Sequence, residues 1–368
     1  MSFKIIKKDK KTKARIGLLE TKKGNVETPF FMPVSTKATP KYINSQILSD
    51  LSVATISNAF LLSINPGINL VKKFGGIGRF MNYKGINVTD SGGFQMYSES
   101  IYIKSTEEGV HFKNPQTGEK IFMTPERNME IQSAINAEIA MCLDHMPLYS
   151  NSKKEIELAV NLTTIWAKRC KIHHKKINKN NQLLFGITQG GIYQDLRKKS
   201  IKDLLKIGFD GYSIGGLGLG ETKKEQDKIV ELQRKMIPEN KPIYLMGIGD
   251  PVEIVNAIAK GIDMFDSRLP TQNARRDTLF TSKGKIRIMN KQYELDKTPI
   301  DKNCNCFVCK SYTKAYIRFL LRQEEPVGKE LASYHNLFYL KNLIDESKIA
   351  IKEGKFLEYK KKIERAYA

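Results

Sequence analysis

The stretch "LLFGITQGGIYQDLRKKSIKDLLKIGFDGYSIGG" (183–216) decides the fold. It opens on a short apolar run, "LLFGITQ" (183–189), and breaks at Gly190-Gly191. An amphipathic stretch follows, "YQDLRKKSIKDLLKIG" (193–208), and then a second apolar run, "GYSIGG" (211–216). Strand, helix and strand in that order imply two parallel strands joined by a crossover helix. The same alternation extends in both directions. Candidate strands precede it at "PFFMPVS" (29–35), "VATISNA" (53–59), "INVTDS" (86–91) and "EIAMCLD" (138–144), and follow it at "IYLMGIG" (243–249) and "DMFDSRL" (263–269). Helical periodicity fills the intervals at 155–170, 225–237 and 250–261. In the last of these, Asp250 is placed to cap, Pro251 to occupy the first helical position and Gly261 to end the helix. Eight such strands predict an α/β protein built as a closed (β/α)8 TIM barrel. A doubly wound open sheet is the second choice, weakened by the lack of a G-x-G-x-x-G after the first strand.

A second pattern lies nearer the C-terminus. Cys304, Cys306 and Cys309 read C-x-C-x-x-C, and His335 follows. Three thiolates and an imidazole make a closed tetrahedral set for Zn2+, with no coordination position left for water, so the site is expected to be structural. The alternative is three unrelated thiols. The expected organisation is a barrel with N-terminal strands over 1–300, and a C-terminal zinc-binding subdomain with closing helices over 301–368.

Composition bounds the function. The chain has 368 residues and a net charge of +22, from 61 Lys and Arg against 39 Asp and Glu. That excess suits a polyanionic partner, or else a solvated lysine-rich surface. No apolar run approaches the ~18 residues of a membrane span, and the charged start lacks a signal-peptide core. Thiols beside a zinc set suggest a reducing, cytoplasmic setting.

Barrel enzymes keep their chemistry at the C-terminal ends of the strands. Those ends carry Asp90 with Gly92, Gly93 and Phe94, then Asp144, Gln189, Gly216 with Leu217, Met246 and Asp266. One mouth would therefore collect three carboxylates, an amide, an aromatic ring and bare backbone. That set suits a planar heterocycle with donors and acceptors on its edges: Asp144 and Gln189 to read an edge, Phe94 to stack on a face. Taken singly, a strand-end aspartate is as readily a helix cap, and a glycine pair a tight turn.

The segments "TPFFMPVSTKAT" (28–39), "VTDSGGFQ" (88–95), "FGITQGGIYQDLR" (185–197), "GYSIGGLGLGE" (211–221), "YLMGIGDP" (244–251) and "GIDMFDSRLPT" (261–271), with the zinc quartet, resemble the bacterial tRNA-guanine transglycosylases over nearly the whole chain. The resemblance implies a pentosyltransferase of queuosine biosynthesis. It would exchange the wobble guanine in the anticodon loop of GUN-anticodon tRNAs for 7-aminomethyl-7-deazaguanine, and would act as a homodimer. It implies Asp266 as nucleophile and Asp90 as general acid and base. Asp144, Gln189, Gly216 and Leu217 would bind the base, Phe94 and Met246 would sandwich it, and Glu221 would orient the Leu217 peptide. A bulky Leu219 would exclude queuine itself. The sequence departs from the family pattern at Ser267, Arg268 and Gln272, at Arg276-Asp277, at His145-Met146, and across Asn58–Leu62. Gln272 stands where an arginine is usual, which leaves Arg268, Arg275 and Arg276 beside it as candidate RNA contacts. A non-catalytic tRNA-binding paralogue, and a relative using queuine or another nucleic acid, are the alternatives.

Overall fold

The structure is a computed structural model that describes residues 3–368, apart from the side chains of Phe94 and Tyr97. Eight parallel strands form one sheet. They are β1 (Phe30–Pro33), β2 (Ala54–Asn58), β3 (Ile86–Asp90), β4 (Ile139–Met141), β5 (Leu183–Thr188), β6 (Gly211–Ile214), β7 (Ile243–Leu245) and β8 (Met264–Ser267). Their spatial order is β1-β8-β7-β6-β5-β4-β3-β2. A parallel bridge between Val34 and Ile56, with the Ser35 N–H donating to the Ile56 carbonyl at 2.7 Å, returns β2 to β1 and closes the barrel. All eight expected strands are present and in one sheet, so the (β/α)8 reading holds and the open sheet does not.

Alternation along the strands explains why each reads as a continuous apolar run. Phe30, Met32, Ala54, Ile56, Val88, Met141, Phe185, Ile187 and Tyr244 fill the interior. Phe31, Ala140, Leu184, Tyr212, Leu245 and Phe265 face the helices outside. Both faces are buried, so even the alternating polar residues of β2 and β3, Thr55, Ser57, Asn87 and Thr89, are covered and mark no solvent-facing side. The helices carry their own start signals. Ser152 with Glu155, and Thr222 with Glu225, form capping boxes for Lys153–Ile177 and Lys223–Met236. Asp250 caps Pro251–Ala259 as its sequence predicts, and Gly261 beyond it has φ +86°. Each such cap contributes about 1 kcal/mol.

Three additions surround the barrel. An antiparallel sheet of Phe3–Lys8, Arg15–Thr21 and Gly24–Thr28 covers its N-terminal end, where Phe3 and Leu19 join the interior core. Arg15 ties that sheet down through a buried pair with Asp263 at 2.6 Å. Removing either partner would strand the other charge, at a cost of about 3–5 kcal/mol. A second antiparallel sheet, Tyr102–Ser105, Val110–Lys113 and Lys120–Met123, is inserted after β3. After β8 come the helix Leu269–Arg275, the hairpin Thr278–Thr281 and Gly284–Arg287, the short helix Phe307–Ser311, and three longer helices, Lys314–Arg322, Pro326–Glu353 and Phe356–Tyr367. The helix Pro326–Glu353 belongs to two cores. Leu331 and Ala332 pack in the cysteine-rich cluster, whereas Leu337, Leu340, Ile344 and Ile351 pack in the main core outside the barrel. No helix among the described residues is long and apolar enough to cross a membrane.

Candidate active site

Asp90 is the last residue of β3. Asn58, the last residue of β2, donates from Nδ2 to Asp90 Oδ2 and to Gln95 Oε1, at 2.9 Å each. The N–H groups of Ala59 and Gly92 reach Asp90 Oδ1 at 3.3 and 3.1 Å. Burial dominates over these donors and pushes its pKa up to about 7, with the Asp266 charge adding to the rise. A carboxyl so placed is part acid and part base at neutral pH.

Asp266 is the penultimate residue of β8, whose C-terminal end lies on the same side of the barrel. Its Oδ1 accepts from the Tyr244 hydroxyl at 2.5 Å and from the Gly247 N–H at 2.8 Å. Burial raises its pKa, while these two donors oppose the rise. Tyr244 is held well above the usual phenol range by burial, then by Asp266 and more weakly by Asp90. It therefore stays a donor. The Asp266 charge is felt at Asp90, and both carboxylates act on the Tyr244 hydroxyl.

Asp144 lies just beyond β4 and is buried. Ser91 Oγ donates to its Oδ1 at 2.8 Å and Gln189 Nε2 to its Oδ2 at 2.7 Å. Burial raises this carboxyl as well. Gln189 is fully buried, and its Oε1 has no hydrogen-bond partner among the described residues. Two glycines make this corner possible. A Cβ on Gly93 would sit 2.4 Å from Asp144 Oδ1, and one on Gly216, whose φ is +64°, would sit 2.4 Å from Gln189 Oε1. Beyond Gly216, Leu217 is buried, and Glu221 accepts from the N–H of Gly218 and, at 3.0 Å, from that of Leu219. Met246 is half-buried against the interior core. The side chain of Phe94, its expected partner across the base, lies outside the described residues.

Of the departing segments, Asn58–Leu62 supplies the Asn58 and Ala59 donors to Asp90, whereas the others make no hydrogen bond to the three aspartates among the described residues. His145 packs on Trp166 and Tyr102, with ring centroids 5.9 and 6.4 Å away, and burial depresses its pKa to about 4, so it is neutral. Met146 is half-buried. Arg268 and Arg276 are exposed at the two ends of the helix that follows β8, and Gln272 and Arg275 are half-buried within it. Arg275 Nε donates to the Thr271 carbonyl at 2.9 Å, which leaves its terminal nitrogens free of that bond.

Three functional residues are not legible from sequence alone. Tyr244 had a signal: it stands two positions before Met246 and so on the same face of β7. Asn58 was visible only as a departing segment. Arg197 sits inside a quoted segment, yet nothing local shows that it folds back under the mouth. It is fully buried and donates to four backbone carbonyls around Gly190-Gly191 and Gly215-Gly216.

The cysteine cluster is separate from this mouth. Cys304, Cys306 and Cys309 gather at the start of the short helix Phe307–Ser311, and His335 comes from Pro326–Glu353. Their ligand atoms lie within 4.8 Å of one another, and His335 Nδ1 is 3.9, 3.5 and 3.4 Å from the three sulfurs in chain order. A tetrahedral ion at thiolate and imidazole bond lengths would separate these atoms by about 3.6 Å. His335 Nε2 lies 2.7 Å from the Phe280 carbonyl, and donation there leaves Nδ1 to face the ion. The four residues fit a metal ion.

This is a (β/α)8-barrel enzyme with its polar groups gathered at the C-terminal mouth. Residues 9–368 match the family profile described as queuine tRNA-ribosyltransferase. Proteins of that name resemble it along their whole length. The one from Thermoanaerobacter sp. is 44% identical and that from Halothermothrix orenii 42%, each over 100% of this chain and 98% of the relative. The one from Anoxybacillus flavithermus is 42% identical over 99% of this chain and 96% of its own. The chain belongs to the queuine tRNA-ribosyltransferase family, whose members are transferases.

Proposed function

We propose that the protein exchanges the wobble guanine of GUN-anticodon tRNAs for 7-aminomethyl-7-deazaguanine, through a covalent Asp266–ribose intermediate. The observation that carries this reading is the pair Asp90 and Asp266. Both are half-buried, both have raised pKa values, and they sit at the C-terminal ends of β3 and β8. Asp266 attacks the anomeric carbon as the N-glycosidic bond breaks, and its electron pair leaves with the base. Asp90 protonates that base, which departs. The incoming base then gives a proton to Asp90, attacks the same carbon and releases Asp266. Tyr244 and the Gly247 N–H hold the Asp266 carboxylate in place for its attack. An anticodon loop is single-stranded, so the guanine need not be pulled from a duplex.

Asp144 and Gln189 supply the edge contacts to the base, with the backbone at Gly216 and Leu217. The 7-aminomethyl group is favoured by the Leu217–Gly218 peptide. Its N–H points at Glu221, so its carbonyl points the opposite way and is available to an ammonium. Arg268, Gln272, Arg275 and Arg276 take the RNA backbone. The ion at Cys304, Cys306, Cys309 and His335 is zinc in a structural role, which the all-sulfur-and-nitrogen donor set favours. The protein works as a cytoplasmic homodimer. Exposed Phe307, Tyr316 and Phe319 on the C-terminal region are consistent with a partner surface.

Radiolabelled guanine offered with total tRNA tests the reading. Label should enter tRNA, and nucleoside mapping should place it at the wobble position of GUN-anticodon species. Label at another position, or none, would refute it.

A further inference from the structure

Arg197 stands in the first turn of the helix Gln194–Ile207 and is fully buried. Its Nε donates to the Gly191 carbonyl at 2.7 Å. Nη1 donates to the carbonyls of Thr188 at 3.1 Å and Gly215 at 2.8 Å, and Nη2 to that of Gly216 at 3.2 Å. All four acceptors are neutral. The one charge that favours its protonated form is that of Glu221, acting through space. A buried cation that touches no carboxylate is an unfavourable way to brace a turn.

Its effect on the backbone explains the placement. In a trans peptide the N–H and C=O point in opposite directions. With the Gly215 carbonyl held inward, the N–H of Gly216 points outward. With the Gly216 carbonyl held inward, so does that of Leu217. Neither N–H meets a protein acceptor among the described hydrogen bonds, although their neighbours do: Gly215 donates to Thr188, and Gly218 and Leu219 donate to Glu221. Gly216 permits the turn through its φ of +64°. Two adjacent free donors above a fixed positive charge form a small nest for a partly negative oxygen.

We propose that Arg197 is a positioning residue for base recognition, holding the Gly215 and Gly216 carbonyls inward so that the N–H groups of Gly216 and Leu217 meet the 6-oxo group of the purine. This rests on the reading above that the base lies over Gly216 and Leu217. It adds a role in the chemical step. As the glycosidic bond breaks, its electron pair passes to the purine, and charge builds on the 6-oxo group until Asp90 delivers its proton. Preset N–H donors stabilise that charge without reorganising.

The test compares wild type, Arg197→Lys and Arg197→Gln in exchange assays, with KM measured separately for guanine and tRNA. Each protein is also challenged with 2-aminopurine, which keeps the ring and the amino group but lacks the 6-oxo group. Arg197→Gln should raise the KM for guanine by about tenfold or more, the usual scale for a lost charge-assisted hydrogen bond. The KM for tRNA and the inhibition constant of 2-aminopurine should stay nearly unchanged, so the preference for guanine should collapse. Arg197→Lys should fall between. Folded variants with wild-type preference would overturn the proposal, and so would an equal loss of affinity for both bases. If no variant folds, the lysine included, Arg197 is a structural brace and the proposal is likewise wrong. A wild-type protein that exchanges no guanine would instead sink the functional reading beneath it.

Discussion

The general acid and base role proposed for Asp90 comes with a stability penalty. Its folded pKa of about 7 lies above the unfolded value, so the native state binds this proton more tightly. The stabilisation is full below the unfolded pKa, near 4, and is lost as pH rises to about 7. At pH 8 the half-buried carboxylate should weigh against folding by up to about 4 kcal/mol. Asp90→Asn stays neutral at every pH, but its new amide donors would face those of Asn58, which takes back part of the gain. The net gain should be about 1–3 kcal/mol at pH 8 and near zero at pH 4, with exchange abolished. Thermal melts at the two pH values check this, and a variant less stable than wild type at pH 8 would contradict it. Leu219 is the residue-scale test of base choice. It is half-buried beside Glu221, and a clash with the cyclopentenediol of queuine should disfavour that base by about 1–3 kcal/mol. Guanine and 7-aminomethyl-7-deazaguanine should compete well for labelled guanine exchange and queuine poorly, with Leu219→Gly admitting it. Strong competition by queuine in wild type would remove Leu219 from the pocket wall.

The elements divide by how their sequence signals arise. The strands were legible because both of their faces are buried, and the helices because Ser152, Thr222 and Asp250 announce them. The strand-end residues followed directly, since a barrel sends every strand's C-terminal end to one mouth. Arg197 and Tyr244 were not, because their partners sit on neighbouring elements: Gly215 and Gly216 past β6, and Asp266 on β8. The span of Pro326–Glu353 was also hidden. It buries residues of two separate cores, so no single apolar stripe marks it. That helix makes the metal site an element-scale joint. His335 connects it to the cysteine turn and, through the Phe280 carbonyl, to the hairpin after β8. Cys306→Ser should lower the zinc content toward zero and loosen hairpin and helix together, because binding energy of about 10–16 kcal/mol is coupled to local folding. Hydrogen exchange of the hairpin amides and metal analysis report it. A zinc-free protein with wild-type protection would contradict the assignment.

For the whole molecule, the +22 charge sets how the protein meets a polyanion. Affinity for tRNA should fall linearly on a log–log salt plot, by about 0.7 per phosphate neutralised on single-stranded RNA. Arg275 and Arg276, on and just after the helix that follows β8, lie close in sequence to the nucleophile. Replacing both with Ala should flatten the slope by up to about 1.4. An unchanged slope would leave them as solvated surface charge. On the proposed reading, the charge brings tRNA to the protein and the carboxylates of Asp90 and Asp266 carry out the exchange. The most direct test of that claim is to trap the protein on tRNA during exchange, separate it under denaturing conditions and map the attachment. The account predicts a covalent tRNA adduct on the peptide that carries Asp266, and its loss in Asp266→Ala, with the exchange rate down by several powers of ten and tRNA affinity nearly intact. Normal turnover by Asp266→Ala, or an adduct on any other residue, would contradict it.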